Sequence, residues 1–289
     1  PIFFAQITDT LFDVTIPDSN IANPQAMKKT RNPHIKNSKV LNIKPISAET
    51  VVSAIAEPLM LKNKIELISG TLILFINFVI GDIPSYSAKY TFESDEISIS
   101  GVRSFKSDLN GSEIKFEASN LLANLFFSSK FKIINGEVIP ETYDIKIKPK
   151  FLNRDQSILF DQVKTEISSS GSNEWISTYK EGNQIYDPLN VQIVIRSLVK
   201  QELKSFNLNL VNMEVGGFKN YIFKYIRNEK CDFDEKTLNC LIYERTQLDS
   251  NRKVTYYLAE ELEYMFIRII DSDEETTNRL TLKEILSFG

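Results

Sequence analysis

Residues 131–148 read FKIINGEVIPETYDIKIK, and this stretch decides the fold. Asn135-Gly136 is the pair that tolerates positive φ at both central positions of a type I′ hairpin turn. Beyond it, Tyr143, Ile145 and Ile147 alternate with polar neighbours, the period of two that sets one face of a strand on a core and the other in water. The same alternation recurs outward along the chain in Ala88, Tyr90 and Phe92, and in Ile114, Phe116 and Ala118. It returns in Phe206, Leu208 and Leu210, and again in Val254, Tyr256 and Leu258. Asn110-Gly111, Gly182-Asn183, Gly216-Gly217 and Ser250-Asn251 punctuate these runs as turns. Strands repeating with short turns and few helices imply antiparallel meanders.

One helix interrupts the pattern. In Asp187-Pro188 the carboxylate can accept from free backbone amides, and a proline at the first helical position gives up no needed donor. Leu189, Ile193, Val194, Leu198 and Val199 then recur mostly at intervals of three and four, while Asn190, Gln192, Arg196, Lys200 and Gln201 can face away. The spacing predicts a helix over about 188–204 with its apolar stripe on a sheet. The expected architecture is mainly β, a curved antiparallel sheet or half-barrel of about 10–12 strands plugged by this one amphipathic helix.

Ahead of the β-rich region, residues 60–81 read MLKNKIELISGTLILFINFVIG. Lys62 and Lys64 precede fifteen residues, Leu67 to Gly81, without a charge, the order of an export signal, with a cleavage point between Gly81 and Asp82. At about 1.5 Å per residue that run spans about 22 Å, short of the roughly 30 Å hydrocarbon core. The alternatives are an uncleaved N-terminal anchor and a buried core segment. Residues 1–59 are rich in Asn, Pro and Lys between 20 and 44 and show helical character only over Ala48–Leu59, so they read as an upstream extension outside the mature fold. On this reading the functional protein is a single β-rich domain from Asp82 to Gly289.

Composition excludes some functions. The chain holds 34 Lys and Arg against 38 Asp and Glu; residues 1–59 carry six basic and five acidic, and 60–81 two and one, which leaves 26 against 32 from residue 82 onward. A mildly acidic domain without a basic stripe is a poor ligand for nucleic acid. The one histidine, His34, lies upstream of the signal-like segment, so the domain has no Ser-His-Asp or Cys-His arrangement and no His-bearing zinc site. Asp161, Glu166 and Asp187 are the acids that a carboxylate-dependent hydrolase would draw on, but no motif fixes their geometry. Asp271-Ser272-Asp273-Glu274-Glu275 lacks the sixth-position Gly of a calcium loop and reads as a solvated hairpin turn. With no phosphate-binding glycine loop and no Cys-x-x-Cys, no cofactor and no metal are expected. Cys231 and Cys240, eight residues apart around an acidic turn, can join across a hairpin in an oxidising compartment or pack as free thiols; the short spacing and the export signal favour the disulfide.

Five stretches, in order, resemble a bacterial family of exported proteins known as domain of unknown function 3108. They are YSAKYTFESDEISISGVRSF (86–105), VIPETYDIKIK (138–148), ILFD (158–161), YDPLNVQIVIRSLVKQ (186–201) and YYLAEELEYMFIRI (256–269). Tyr257 stands where the family commonly has Trp, and Phe266 where it has Pro. The resemblance covers roughly residues 83–285. It implies a curved β-sheet related in shape to periplasmic lipoprotein carriers, exported to the periplasm of a Gram-negative bacterium, and it assigns no activity. The functional expectation is therefore a non-enzymatic envelope protein whose concave face, lined by Tyr90, Phe92, Phe116, Phe131, Phe223 and Tyr225, takes an apolar ligand such as lipid, or an envelope partner. The alternative is a periplasmic hydrolase acting on an envelope glycan. Membrane contact is expected only through residues 60–81 if they stay uncleaved.

Overall fold

The computed structural model describes residues 83–289, except 96–97, 122, 150–153 and 248–249. The upstream extension, the signal-like segment and the cleavage point at Gly81 and Asp82 lie outside the described residues. Among the described residues fifteen strands form one sheet. The first eight are β1 (Tyr86–Glu93), β2 (Ser98–Asp108), β3 (Gly111–Ser119), β4 (Ala123–Ile134), β5 (Glu137–Pro149), β6 (Arg154–Asp161), β7 (Glu166–Gly171) and β8 (Trp175–Thr178). After the two-residue β9 (Ile185–Tyr186) comes the helix α1 (Asn190–Lys200). The rest are β10 (Ser205–Val211), β11 (Phe218–Phe233), β12 (Lys236–Thr246), β13 (Lys253–Ala259), β14 (Met265–Ser272) and β15 (Thr277–Phe288). Thirteen of them are six residues or longer, above the expected 10–12, and the edge strands β8 and β9 are shorter.

The strand order is 8-7-6-5-4-3-2-1-15-14-13-12-11-10-9. Two meanders thus meet where β1 pairs antiparallel with β15, and every neighbour is antiparallel except β9 on β10. The edge strands β8 and β9 are joined by only residues 179–184. At about 3.3 Å per residue such a connection reaches roughly 20 Å, so a fifteen-stranded sheet must curl to bring its two edges together. The ladder stays open there. Side chains bridge the gap instead: Trp175 Nε1 donates to Met213 O (3.2 Å), Gln156 Nε2 to the same oxygen (2.7 Å), and Gly217 N to Ser177 Oγ (2.9 Å). A side chain on Gly216, at φ +80°, would place its Cβ 2.7 Å from the Trp175 ring, so the turn can approach only as glycine.

The alternation foreseen in the sequence is the inward face of the sheet. Ala88, Tyr90 and Phe92, then Ile114, Phe116 and Ala118, then Tyr143, Ile145 and Ile147 are all buried, with polar neighbours outward. Asn135 (φ 52°) and Gly136 (φ 82°) form the two-residue turn between β4 and β5, both left-handed as a type I′ turn requires. Asn110-Gly111 differs by one position. Asp108 pairs with Gly111, so Leu109 and Asn110 make the turn, and Asn110 N is held by Asp108 Oδ1 at 2.7 Å.

The helix corrects the expectation more substantially. It runs 190–200 rather than 188–204, and it has no solvent face over most of its length. Asn190, Gln192 and Arg196, expected to face away, are buried like Ile193 and Val199, whereas Leu198 of the apolar stripe is only half-buried. A helix laid on a flat sheet keeps one wet side, but a sheet curling around it removes that side. The buried polar groups are only partly satisfied, since Gln192 Oε1 and Arg196 Nη1 find no hydrogen-bond partner among the described residues. Gln192 Nε2 donates to Pro188 O (3.0 Å), while Arg196 Nε and Nη2 donate to Glu263 O (3.1 and 2.9 Å).

Candidate functional site

Asp187 caps α1 as its position suggests. Its Oδ1 accepts from Leu189 N (2.8 Å) and Asn190 N (2.9 Å), and its Oδ2 accepts from Ser129 Oγ on β4 (2.6 Å) and from Asn190 Nδ2. The carboxyl is fully buried, and burial pushes it up to about 7 although these donors pull the other way. The cap pins one end of the helix to β4. At the other end Lys200 Nζ reaches Glu263 Oε2 at 2.7 Å. The helix therefore spans the concave face from the first meander to the second.

Between the flank of α1 that carries the half-buried Leu198 and the sheet lies an open cleft of about 340 Å³. Val194 and Leu198 of α1, Val138 of β5, Tyr186 of β9, and Phe206 and Leu208 of β10 give it an apolar wall. Gln184, Gln201 and Asn207 are the amides that line it as well. Its existence follows from the topology: β9 covers only Asn209 and Leu210 of β10, so the rest of β10 faces the helix across a gap. The volume falls within the range of small-molecule sites, and an apolar wall carrying a few polar groups is their usual make-up. Burial raises Tyr186 above the usual tyrosine range, and its hydroxyl donates to Gln184 Oε1 (2.6 Å), so it enters the cleft as a neutral group.

The aromatic residues expected to line a ligand face are elsewhere. Tyr90, Phe92, Phe116, Phe131 and Phe223 are sealed in the core. Tyr225 is half-buried, edge-on to Tyr243 at 5.7 Å, with its hydroxyl donating to Asn228 Oδ1. None of the six lines the cleft, because the enclosed helix fills the concavity they share. Of the residues that do line it, Val194, Leu198, Phe206 and Leu208 were legible only as core positions, Gly136 as a turn and Gln201 as an outward position.

The expected acids are also dispersed. Asp161 and Glu166 sit opposite each other at the β6–β7 turn, where backbone and side-chain bonds from Lys164 hold the exposed Asp161 carboxyl below its ordinary range. Asp187 is consumed by the cap. In the acidic run, Asp273 Oδ1 accepts from Glu275 N and Thr276 N within the β14–β15 turn, and Asp271 pairs with Arg252. Among the described residues no group of three His, Cys, Asp or Glu is placed to hold a metal ion. Cys231 and Cys240 lie on β11 and β12 as diagonal neighbours rather than a directly opposed pair, since Cys231 faces Leu238 and Cys240 faces Glu229. Their Cα atoms are 6.0 Å apart and the sulfurs are joined.

Of the buried arginines, Arg103 and Arg245 escaped the sequence reading, whereas Arg196 was expected to face away. The signal was parity: in ISGVRSF, Ile99, Gly101, Arg103 and Phe105 occupy alternate positions and all point inward. Arg103 pairs with Ala88 and Phe116 on the neighbouring strands, and a Cβ on Gly101 would lie 2.6 Å from the Phe116 ring.

No family model and no curated protein sequence matches the chain. Among solved structures, a β-barrel-like protein of domain of unknown function 1849 from Brucella abortus is similar at a TM-score of 0.48 and 10% identity, over 70% of this chain and 97% of that one. MucB in complex with MucA(peri) is similar at a TM-score of 0.16 and 5% identity, over 70% and 88%. Neither likeness is strong enough to carry an argument about function. Among the described residues no helix is long and apolar enough to cross a membrane.

Proposed function

We propose that this domain is a non-enzymatic envelope protein, exported under the direction of residues 60–81, that binds an apolar ligand in the cleft between α1 and β10. The observation that carries the reading is the cleft itself, an open concavity of about 340 Å³ with an apolar wall. The kinship to domain of unknown function 3108 belongs to the same proposal and rests on the sequence stretches quoted above. No observation favours a carboxylate-dependent hydrolase, since Asp187 is inaccessible and the Asp161–Glu166 pair sits on an exposed turn.

The test is a titration with 1-anilinonaphthalene-8-sulfonate, an apolar fluorescent anion, displaced by dodecanoate. Saturable one-to-one binding to the wild type, weakened at least about tenfold in Leu198→Trp, is the expected outcome, since the indole would fill the cleft. Equal binding by the two proteins, with the urea midpoint of the variant unchanged, would remove the cleft from consideration.

A further inference from the structure

The wall of the cleft formed by β10 is an open strand edge. Tyr225 N donates to Lys204 O (2.8 Å), which makes Lys204 and Tyr225 a hydrogen-bonded pair and sets the parity of the strand. Phe206, Leu208 and Leu210 accordingly turn their backbone groups towards β11, while Ser205, Asn207 and Asn209 turn theirs to the opposite edge. There β9 pairs only with Asn209 and Leu210. The chain peels away just before it, through the Lys180–Asn183 turn (Asn183 N to Lys180 O, 3.1 Å) with Gly182 at φ +86°. The N–H and C=O groups of Ser205 and Asn207 are left without a hydrogen-bond partner among the described residues.

Resting on the cleft reading above, we infer that the occupant is an extended polypeptide segment of a partner protein, added to β10 as a short strand at Ser205–Asn207. An acyl chain would satisfy the apolar wall and leave these four backbone groups to water. An extended peptide satisfies both, because its own amides alternate with the spacing of the edge and its side chains point alternately into and out of the cleft. Phe206 and Leu208 face the interior side, so every second residue of the guest meets Val194, Leu198 and Val138 and is apolar. The polar lining has the amides of Gln184, Gln201 and Asn207, the exposed carboxylate of Glu137 and no cation, which suits an uncharged backbone better than an anionic headgroup.

The experiment uses the full chain and three probes against bound 1-anilinonaphthalene-8-sulfonate: acetyl-Val-Thr-Val-Thr-Val-amide, the same peptide N-methylated at alternate amides, and dodecanoate. The expected result is displacement by the parent peptide, at least tenfold weaker displacement by the methylated one, and at least tenfold slower hydrogen exchange at Asn207 N–H in the peptide complex. Asn207→Pro, a change tolerated on an edge strand, should weaken the parent peptide at least tenfold more than it weakens dodecanoate; where that variant does not fold, the wild-type exchange measurement decides. Displacement by dodecanoate with no binding of the peptide, or equal binding of the two peptides, would overturn the strand-addition inference and leave the cleft reading standing. Failure of all three probes to displace the dye would overturn both.

Discussion

The guanidinium carbon of Arg103 lies 4.7 Å from the centre of the Tyr90 ring, inside the sheet. None of the three guanidinium nitrogens has a hydrogen-bond partner among the described residues, and the side chain is fully buried. Tyr90 does not bond to it, since its hydroxyl donates to Phe266 O on β14 at 2.9 Å. A cation held over aromatic faces gains on the order of 2 kcal/mol, less than the several kcal/mol that desolvating an ion costs. With no acidic partner to strand, Arg103→Met should leave stability unchanged or raise it by about 1–4 kcal/mol. The urea midpoint checks this, and a loss above about 2 kcal/mol would mean that the arginine has a partner in solution.

The enclosed helix separates two kinds of apolar position. Ile193 is fully buried, so Ile193→Ala should destabilise by about 2–5 kcal/mol. Leu198 is half-buried on the cleft, so Leu198→Ala should cost only about 1–2 kcal/mol and reduce dye binding as well. Parallel urea titrations of the two variants would contradict this arrangement if their losses came out equal.

Asp187 should give the fold a defined pH response. Its carboxyl is raised in the folded state to about 7 from an ordinary value near 3.8. A raised folded value means that the favourable contribution is fully present below the unfolded value and is lost as pH rises through the folded one. Wild-type stability should therefore fall between about pH 4 and pH 7, by an amount of order 4 kcal/mol at most. Asn at this position can still cap the helix through its carbonyl, so Asp187→Asn should flatten the curve over that window. Urea midpoints at pH 4 and pH 8 for both proteins decide the matter; a variant with the same slope as the wild type would place the titration elsewhere.

Cys231 and Cys240 are proposed to be oxidised in the exported protein. Intact mass without reductant should be about 2 Da below the reduced mass. Replacing both by alanine should lower stability by roughly 2–3 kcal/mol, the range for so short a loop. Free thiols that react with iodoacetamide in the folded protein would count against the bond.

Strand parity made most of this fold readable from sequence. Tyr143, Ile145 and Ile147 announce an inward face wherever the sheet goes, and Asn135-Gly136 fixes a turn and hence a register. What parity could not show is closure. Whether β8 meets the β10–β11 turn depends on Gly216 admitting Trp175, a contact between residues about forty positions apart. The polar flank of α1 misled for the same reason, since Gln192 and Arg196 look solvated until the sheet is seen to surround them. The cleft was illegible because it is made by something missing, the stretch of β10 that β9 fails to cover.

The most direct measurement is native mass spectrometry of the protein purified from cell envelopes, wild type beside Leu198→Trp. A co-purified adduct on the wild type, absent from the variant, is the expected result, and its mass and fragmentation distinguish peptide from lipid. A wild type that carries no adduct, or an adduct retained equally by the variant, would contradict a binding site between α1 and β10.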